Sequence, residues 1–190
     1  FGGSSWISAR LSGGGVGIAA HFDGKCDFGR FAGLPVRQAA RLIYSDDQAE
    51  AGAAMAVINA CCNTPERLSA LSAMVSCETL CTDGMDLRGL TVGMIGRMRR
   101  TAEGLKAAKK VYIFELSPKE GDLPASEEDR LLPECDIVRV TGTSIINHTI
   151  EHILELAQGA RVILLGPSVP MLPALRDFGA ERLSGLCVTR

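Results

Sequence analysis

Five short, uninterrupted apolar runs in the second half of the chain constrain the fold more than any other feature of the sequence. They span residues 90–96, 111–116, 137–141, 162–166 and 183–188. Apolar runs without polar alternation are typical of strands buried on both faces, as in a parallel sheet. Segments with helical spacing separate them, at about 98–108, 126–132, 147–158 and 172–178. Alternating strands and helices predict an α/β domain with a Rossmann-like, mainly parallel sheet.

The first part of the chain follows a different pattern. Residues 5–11 and 16–22 alternate between polar and apolar around a run of three glycines, which predicts a β-hairpin. Helical segments follow: one begins at Pro35, one is capped by Asp46 or Asp47 and extends through Ala60, and one covers 65–81. We therefore predict a small α+β domain over 1–83 and the Rossmann-like domain over 84–190, joined by a linker over 82–89.

Composition and charge argue against several classes of partner. The chain has 20 Lys and Arg against 22 Asp and Glu, with six Phe, two Tyr and one Trp, so we predict no nucleic-acid partner. No apolar run approaches the roughly 18 residues of a spanning helix, so we predict no membrane partner. The seven cysteines are odd in number and no secretory leader precedes them, which favours reduced thiols and a cytoplasmic location. A homodimer is expected only because homodimers are common.

Glycine, hydroxyl and acidic residues follow four of the predicted strands. The carboxyl ends of parallel strands meet at one edge of the sheet, where open α/β sheets bind ligands. Glycines there allow backbone to approach a ligand closely, and hydroxyls and amides hydrogen-bond it. We therefore predict a small-molecule site that includes Gly93, Gly96, Glu115, Thr141, Gly142, Thr143, Gly166, Pro167 and Ser168.

Glu115 is the candidate catalytic acid or base of this site. It lies about 20 residues after Gly93, where a dinucleotide-binding fold places the acid that binds ribose. Gly93 and Gly96, however, form only a G-x-x-G, which a tight turn from strand to helix explains equally well. Adenosyl-type binding stays open, and we assign no cofactor.

Two patterns raise metal binding as an alternative. His148 and His152 fall in an H-x-x-E-H motif, whose spacing would place both imidazoles on one helical face, as in inverted zinc peptidases. The apolar stripe of that segment leaves both histidines on the solvent side, which favours an ordinary exposed helix. Cys77 and Cys81 are four residues apart, but free cysteines more often fill core positions. We assign no metal ligand.

The stretches TGTSIIN and GPSVP resemble the heavy-metal chelation family, formerly a domain of unknown function. The stretches GVGIAAHF, AGLPVRQAARLI and AMAVINACCN resemble the smaller domain that precedes it in that family, which has the fold of the enolase N-terminal domain. The resemblance implies a ligand cleft between the two domains. It adds Asn147 to the site and suggests that Asn59 reaches in from the N-terminal domain.

The resemblance implies an enzyme that condenses or hydrolyses a polar heterocyclic metabolite, such as a precursor of a pterin, a flavin or a siderophore-like chelator. Thr143, Asn147 and Ser168 would hydrogen-bond this ligand. The alternative is a non-catalytic protein that binds a metal or a metal–chelator complex.

Overall fold

The N-terminal part of the chain is a β-hairpin packed against helices. The computed structural model describes residues 6–71, 85–98 and 104–189. Strands β1 (Trp6–Arg10) and β2 (Val16–Ala20) pair antiparallel, as the alternating pattern predicts. Helices α1 (Val36–Arg41), α2 (Gln48–Cys62) and α3 (Pro65–Ala70) follow. The rest of the helix predicted over 65–81 lies outside the described residues.

Helix α2 is the core element of this part. The Asp47 side chain caps it by accepting a hydrogen bond from the Ala49 amide at 2.9 Å, as predicted for this position. The helix is rich in alanine and buried around most of its circumference, so it packs closely against the hairpin. A Cβ atom on Gly17 would lie 2.1 Å from the Ala60 nitrogen, so only glycine allows this approach of strand and helix.

The second part of the chain is a six-stranded parallel sheet with the order β5-β4-β3-β6-β7-β8. Its strands are β3 (Thr91–Ile95), β4 (Lys110–Glu115), β5 (Leu123–Pro124), β6 (Ile137–Thr141), β7 (Arg161–Leu165) and β8 (Ala180–Ser184). The chain first runs outward from β3 to β5 and then crosses to β6 and runs the other way. This order is that of a doubly wound Rossmann-like fold, which confirms the predicted α/β class.

Both faces of the sheet are covered, which explains the uninterrupted apolar runs. Alternate strand residues such as Val140 and Leu164 belong to one buried cluster, which also contains Phe114. The strand residues that alternate with these along the chain, such as Met94 and Ile163, belong to a second cluster. Because most positions of the inner strands β3, β6 and β7 are buried on one face or the other, polar alternation is lost there.

The helices between the strands are shorter than predicted. Those that fall wholly within the described residues are α4 (Glu128–Leu131), α5 (Thr143–Ile146) and α6 (Ile150–Leu156), and most of the helix predicted over 98–108 lies outside them or in a 3-10 turn, Leu105–Ala107. The helix predicted over 147–158 begins only at Ile150, because His148 has a φ of 60° and breaks the helical path. The segment predicted as helical over 172–178 is a single 3-10 turn, Pro173–Arg176. Among the described residues, no helix is long and apolar enough to cross a membrane.

The N-terminal part is joined to the second part by buried asparagines of α2 and its C-terminal end. The Asn59 side chain donates from Nδ2 to the carbonyl oxygens of Ile18 and Pro167, at 2.8 and 3.0 Å. The Asn63 side chain donates to the Val169 oxygen at 2.9 Å. It also accepts from the Met171 nitrogen at 2.8 Å. These bonds attach α2 to the loop that follows β7.

Candidate functional site

A small cavity lies at the carboxyl edge of the sheet, where the strand order reverses between β3 and β6. Its volume is about 90 Å³. Loops on either side of such a reversal diverge and leave a crevice, which is where open α/β sheets bind ligands. The predicted site residues that line it are Gly96, Glu115, Thr141, Thr143 and Asn147.

Glu115 is held at this cavity by the end of the neighbouring strand. Gly96 follows β3 with a φ of 81°, a conformation that favours glycine. The next residue, Arg97, donates its backbone N–H to Oε1 of Glu115 at 2.5 Å. Glu115 is half-buried, and this bond links one of its carboxyl oxygens to the end of β3.

The Arg97 side chain binds Asp122, whereas its backbone N–H binds Glu115. Its Nε donates to Oδ1 of Asp122 at 2.6 Å, and its Nη2 also contacts that carboxylate. Asp122 accepts a further bond from the Lys119 amide at 3.0 Å. The guanidinium lowers the pKa of the Asp122 carboxyl. The positive charge of Arg97 is therefore matched by Asp122 next to the cavity.

Hydroxyl groups form the wall of the cavity on the β6 side. The Thr143 hydroxyl donates to Oγ1 of Thr141 at 3.1 Å, and the Ser144 hydroxyl donates to the Thr141 carbonyl at 2.8 Å. The Thr149 hydroxyl donates to Oδ1 of Asn147 at 2.9 Å. These bonds within one loop fix several polar groups around the same space.

Glu128, the first residue of α4, also lines the cavity, and sequence reasoning missed it. Burial raises the pKa of this carboxyl, and the nearby Asp129 raises it further, while His152 opposes the change. A buried carboxyl with a raised pKa is a typical feature of functional sites. The sequence offers no signal for it beyond an acidic stretch, because its place depends on how the segment after β5 folds back.

The remaining predicted site residues lie elsewhere in the described structure. Gly93 is inside β3, where a Cβ atom would lie 3.0 Å from Cδ2 of Leu132. Gly142 lies against the backbone of Ser168, and Gly166 forms a turn with a φ of 111°. These glycines allow close packing or a turn at the edge of the sheet.

Ser168, Pro167 and Asn59 meet at the junction between the two parts of the chain. Ser168 is 2% exposed, and its hydroxyl accepts a hydrogen bond from the Ala20 amide at 2.9 Å. Asn59 is fully buried and donates to the Pro167 carbonyl, as described above. Their roles in ligand binding stay predictions, since none of these three residues lines the cavity, and Oδ1 of Asn59 is buried without a hydrogen-bond partner among the described residues.

The two histidines of the H-x-x-E-H motif do not share one helix, so the spacing does not place them on one helical face as the motif would require. His148 lies before α6 begins, and its Nε2 is 2.8 Å from the Ile43 carbonyl oxygen. His152 lies within α6, with its Nε2 2.6 Å from Oδ1 of Asp129. In the described part of the chain, no group of three or more His, Cys, Asp and Glu could hold a metal ion. Cys77 and Cys81 lie outside the described residues.

The family model DUF364, described as "Putative heavy-metal chelation", matches residues 83–190. The chain belongs to this family. A second model with the same description, DUF4213, matches residues 1–62. The first match covers the six-stranded sheet, and the second covers the N-terminal hairpin with helices α1 and α2.

Solved structures of the DUF364 family share this fold. A protein of unknown function from Desulfitobacterium hafniense superposes with a TM-score of 0.85 at 31% identity, over 98% of this chain and 77% of that chain. A DUF364 protein from Pyrococcus horikoshii superposes with a TM-score of 0.71 at 20% identity, over 94% of this chain and 74% of that chain.

A curated relative, an uncharacterized protein of Methanocaldococcus jannaschii, is 36% identical over 100 residues. The match spans 49% of this chain and 39% of the relative, so this chain matches well under half of that protein.

Proposed function

We propose that this DUF364 chain is an enzyme that binds a small polar organic metabolite at the cavity between β3 and β6. The observation that carries this proposal is the convergence of Glu115, Glu128, Thr143 and Asn147 on one cavity at the carboxyl edge of a doubly wound sheet. Two carboxyls that line one cavity are a common arrangement for acid–base chemistry.

The size of the cavity limits how the ligand would bind. A volume of about 90 Å³ is well below the ~300–1,000 Å³ of a pocket that encloses a whole ligand. The cavity would therefore take a polar head group, and the rest of the molecule would extend beyond it. Leu116 lines the cavity and is 70% exposed, so it offers an apolar surface to that remainder.

The N-terminal part would support the site from behind. Ile146, at the end of α5, is fully buried in a cluster with Met55 and Ala56 of α2. His148 contacts the Ile43 carbonyl, as described above. Both contacts hold the loop that carries Thr143 and Asn147. The likeness of the N-terminal part to the enolase N-terminal domain stays a prediction.

A polar heterocycle such as a pterin or flavin precursor fits this arrangement, because its ring edge carries hydrogen-bond donors and its face is apolar. Condensation or hydrolysis of such a molecule is the reaction we propose. The predicted residues that line the cavity would have separate roles. Thr143 and Asn147 would orient the ligand, and Glu115 would accept a proton or a hydrogen bond.

The test is to incubate the purified full chain with candidate pterin and flavin precursors and to follow the mixtures by mass spectrometry. We expect a new product whose formation falls at least tenfold in a Thr143→Val or Asn147→Ala variant. A matched control is Glu151→Gln, an exposed position on α6. A stable complex without a product would instead support a non-catalytic carrier of a chelator or metal complex. No binding of any precursor, together with no co-purifying molecule in native mass spectra, would contradict both.

A further inference from the structure

We infer that the cavity selects a cationic or donor-rich head group, such as an amine, an amidinium or a protonated aminopyrimidine, through Glu115 and Glu128. This inference rests on the proposed function and goes beyond it by naming the chemistry that the ligand must present. It also excludes a phosphate as the group bound in the cavity.

The first support is the charge of the lining. Among the described residues that line the cavity, Glu115 and Glu128 carry the acidic groups, and no lysine, arginine or histidine side chain is present. The other lining groups are apolar side chains, hydroxyls and the Asn147 amide. An ionised carboxylate only accepts hydrogen bonds, so a ligand that satisfies both must bring N–H donors. A phosphate would face repulsion from the carboxylates in a confined space.

The second support is that the basic side chains next to the cavity already have partners. Arg97 is bound to Asp122. Arg130, on α4, is bound to Glu127 through its Nε at 3.0 Å. These pairs leave the acidic groups of the cavity without compensation from these basic neighbours.

The histidines near α4 and α6 are engaged in the same way. His152 contacts Asp129, next to Glu128 in the chain, and His148 contacts a backbone carbonyl of the N-terminal part. Neither ring lines the cavity. The groups whose charge acts on Glu128 are therefore Asp129 and His152, with opposite effects.

The third support is the geometry of Glu115. Its Oε1 accepts the hydrogen bond from the Arg97 amide, and Oε2 is the second acceptor that this carboxyl can offer to a ligand. Because Glu115 and Glu128 line the same cavity, a head group with two N–H donors would find a carboxyl acceptor from each. Such charge-assisted bonds are stronger and shorter than neutral ones. Binding of a cation would also favour the charged form of Glu128.

The experiment uses the full chain and two pairs of small probes. Acetamidinium and 2-aminopyrimidine represent the proposed head group, and acetate and inorganic phosphate are the anionic counterparts, all at constant ionic strength. Binding is followed by the chemical shifts of the Arg97 backbone amide and the Asn147 side-chain amide. We expect these signals to move with the cationic and donor-rich probes and to stay in place with the anions.

Two variants test the residues. Glu115→Gln and Glu128→Gln keep the side-chain shape, and each should weaken acetamidinium binding by about tenfold or more, as expected for the loss of a charged partner. Glu151→Gln should leave it unchanged. In the native chain, acetamidinium should bind more weakly at pH 4.5 than at pH 7.5, which tests the carboxyls even if a variant does not fold.

The outcomes separate this inference from the proposed function. Phosphate binding at these signals, or acetamidinium binding that neither variant reduces, would overturn the inference while leaving a small-molecule site in place. If none of the four probes shifts either signal and no precursor binds in the test of function, both the inference and the proposed function would be overturned. Selective movement by the cationic probes supports both.

Discussion

The hydroxyl of Ser168 accepts a hydrogen bond from the Ala20 amide at 2.9 Å, and this bond joins the loop after β7 to the end of the N-terminal hairpin. Ser168 is 2% exposed and Ala20 is 8% exposed. A buried amide without a partner costs free energy, so this serine has a structural role whatever else it does.

Replacement of Ser168 by alanine should lower the free energy of unfolding by about 1–3 kcal/mol, because the Ala20 amide would be buried without a partner. Urea unfolding followed by circular dichroism measures this. Ser126→Ala, at an exposed position, is the control and should change stability by less than about 0.5 kcal/mol. An equal and small effect of the two variants would show that the Ser168 bond contributes nothing.

Gly142 should not tolerate a side chain. A Cβ atom there would lie 2.6 Å from both the Ser168 carbon and the Val169 nitrogen, which are backbone atoms and cannot easily move. Gly142→Ala should therefore destabilise the chain by about 1–3 kcal/mol or more. Gly159→Ala is the matched control, since a Cβ atom there has nothing within 4 Å. Thermal melts of the two variants should differ clearly, and identical melts would contradict the close approach.

Cys135 should resist alkylation in the folded chain. Burial raises the pKa of its thiol to about 11, and its Sγ contacts the Leu131 carbonyl at 3.4 Å. Because the thiolate is the reactive form, iodoacetamide at pH 8 should leave Cys135 unmodified while the protein is folded. Peptide mass spectrometry before and after unfolding in urea measures this. Equal labelling in both states would contradict the burial of this residue.

Glu128 should make the chain less stable as the pH rises. Burial raises the pKa of its carboxyl above the ordinary value of 4.5, so the stability it contributes is fully present below pH 4.5 and is lost as the pH rises through the raised value. Glu128→Gln should therefore increase the urea midpoint at pH 7.5, relative to the native chain, while weakening the ligand binding proposed above.

Glu181 provides the control of opposite sign. Arg161 donates from Nε to this carboxylate at 2.9 Å and lowers the pKa of Glu181 below 4.5. The stability contributed by Glu181 is present above pH 4.5 and lost as the pH falls through the lowered value. Glu181→Gln should thus lower the urea midpoint at pH 7.5. If the urea midpoint changed in the same direction in Glu128→Gln and Glu181→Gln, the opposite pKa shifts of these two carboxyls would be contradicted.

The sheet could be predicted from the sequence because burial on both faces leaves a direct mark on composition. The run 137–141 lacks polar alternation apart from Arg139, which is itself buried, and it is the central strand β6 with parallel neighbours on each side. Strand β8 was placed too late, because it begins with Ala180, Glu181 and Arg182, and an edge strand tolerates polar residues. The predicted helices are longer than the observed ones, because helical spacing does not reveal a residue such as His148 whose backbone conformation interrupts a helix.

The candidate site could be predicted only where it follows directly from strand ends. Gly96, Glu115 and Thr141 each end or follow a strand, so parallel topology alone places them at one edge. Glu128 and Leu116 depend on how the connections fold over that edge, which no local pattern encodes. Sequence also does not reveal that Ser168 and the Asn59 side-chain nitrogen hydrogen-bond to backbone, because their partners lie far away along the chain.

The bonds from Asn59 and Asn63 have a consequence for how the chain can be divided. Without α2, the carbonyls of Pro167 and Val169 and the amide of Met171 would lose their partners. A fragment that contains only the six-stranded sheet would therefore expose backbone groups that have lost their hydrogen-bond partners. Calorimetry of the full chain should accordingly show one unfolding transition. We therefore expect each part of the chain to need the other in order to fold, so the two could not be exchanged independently.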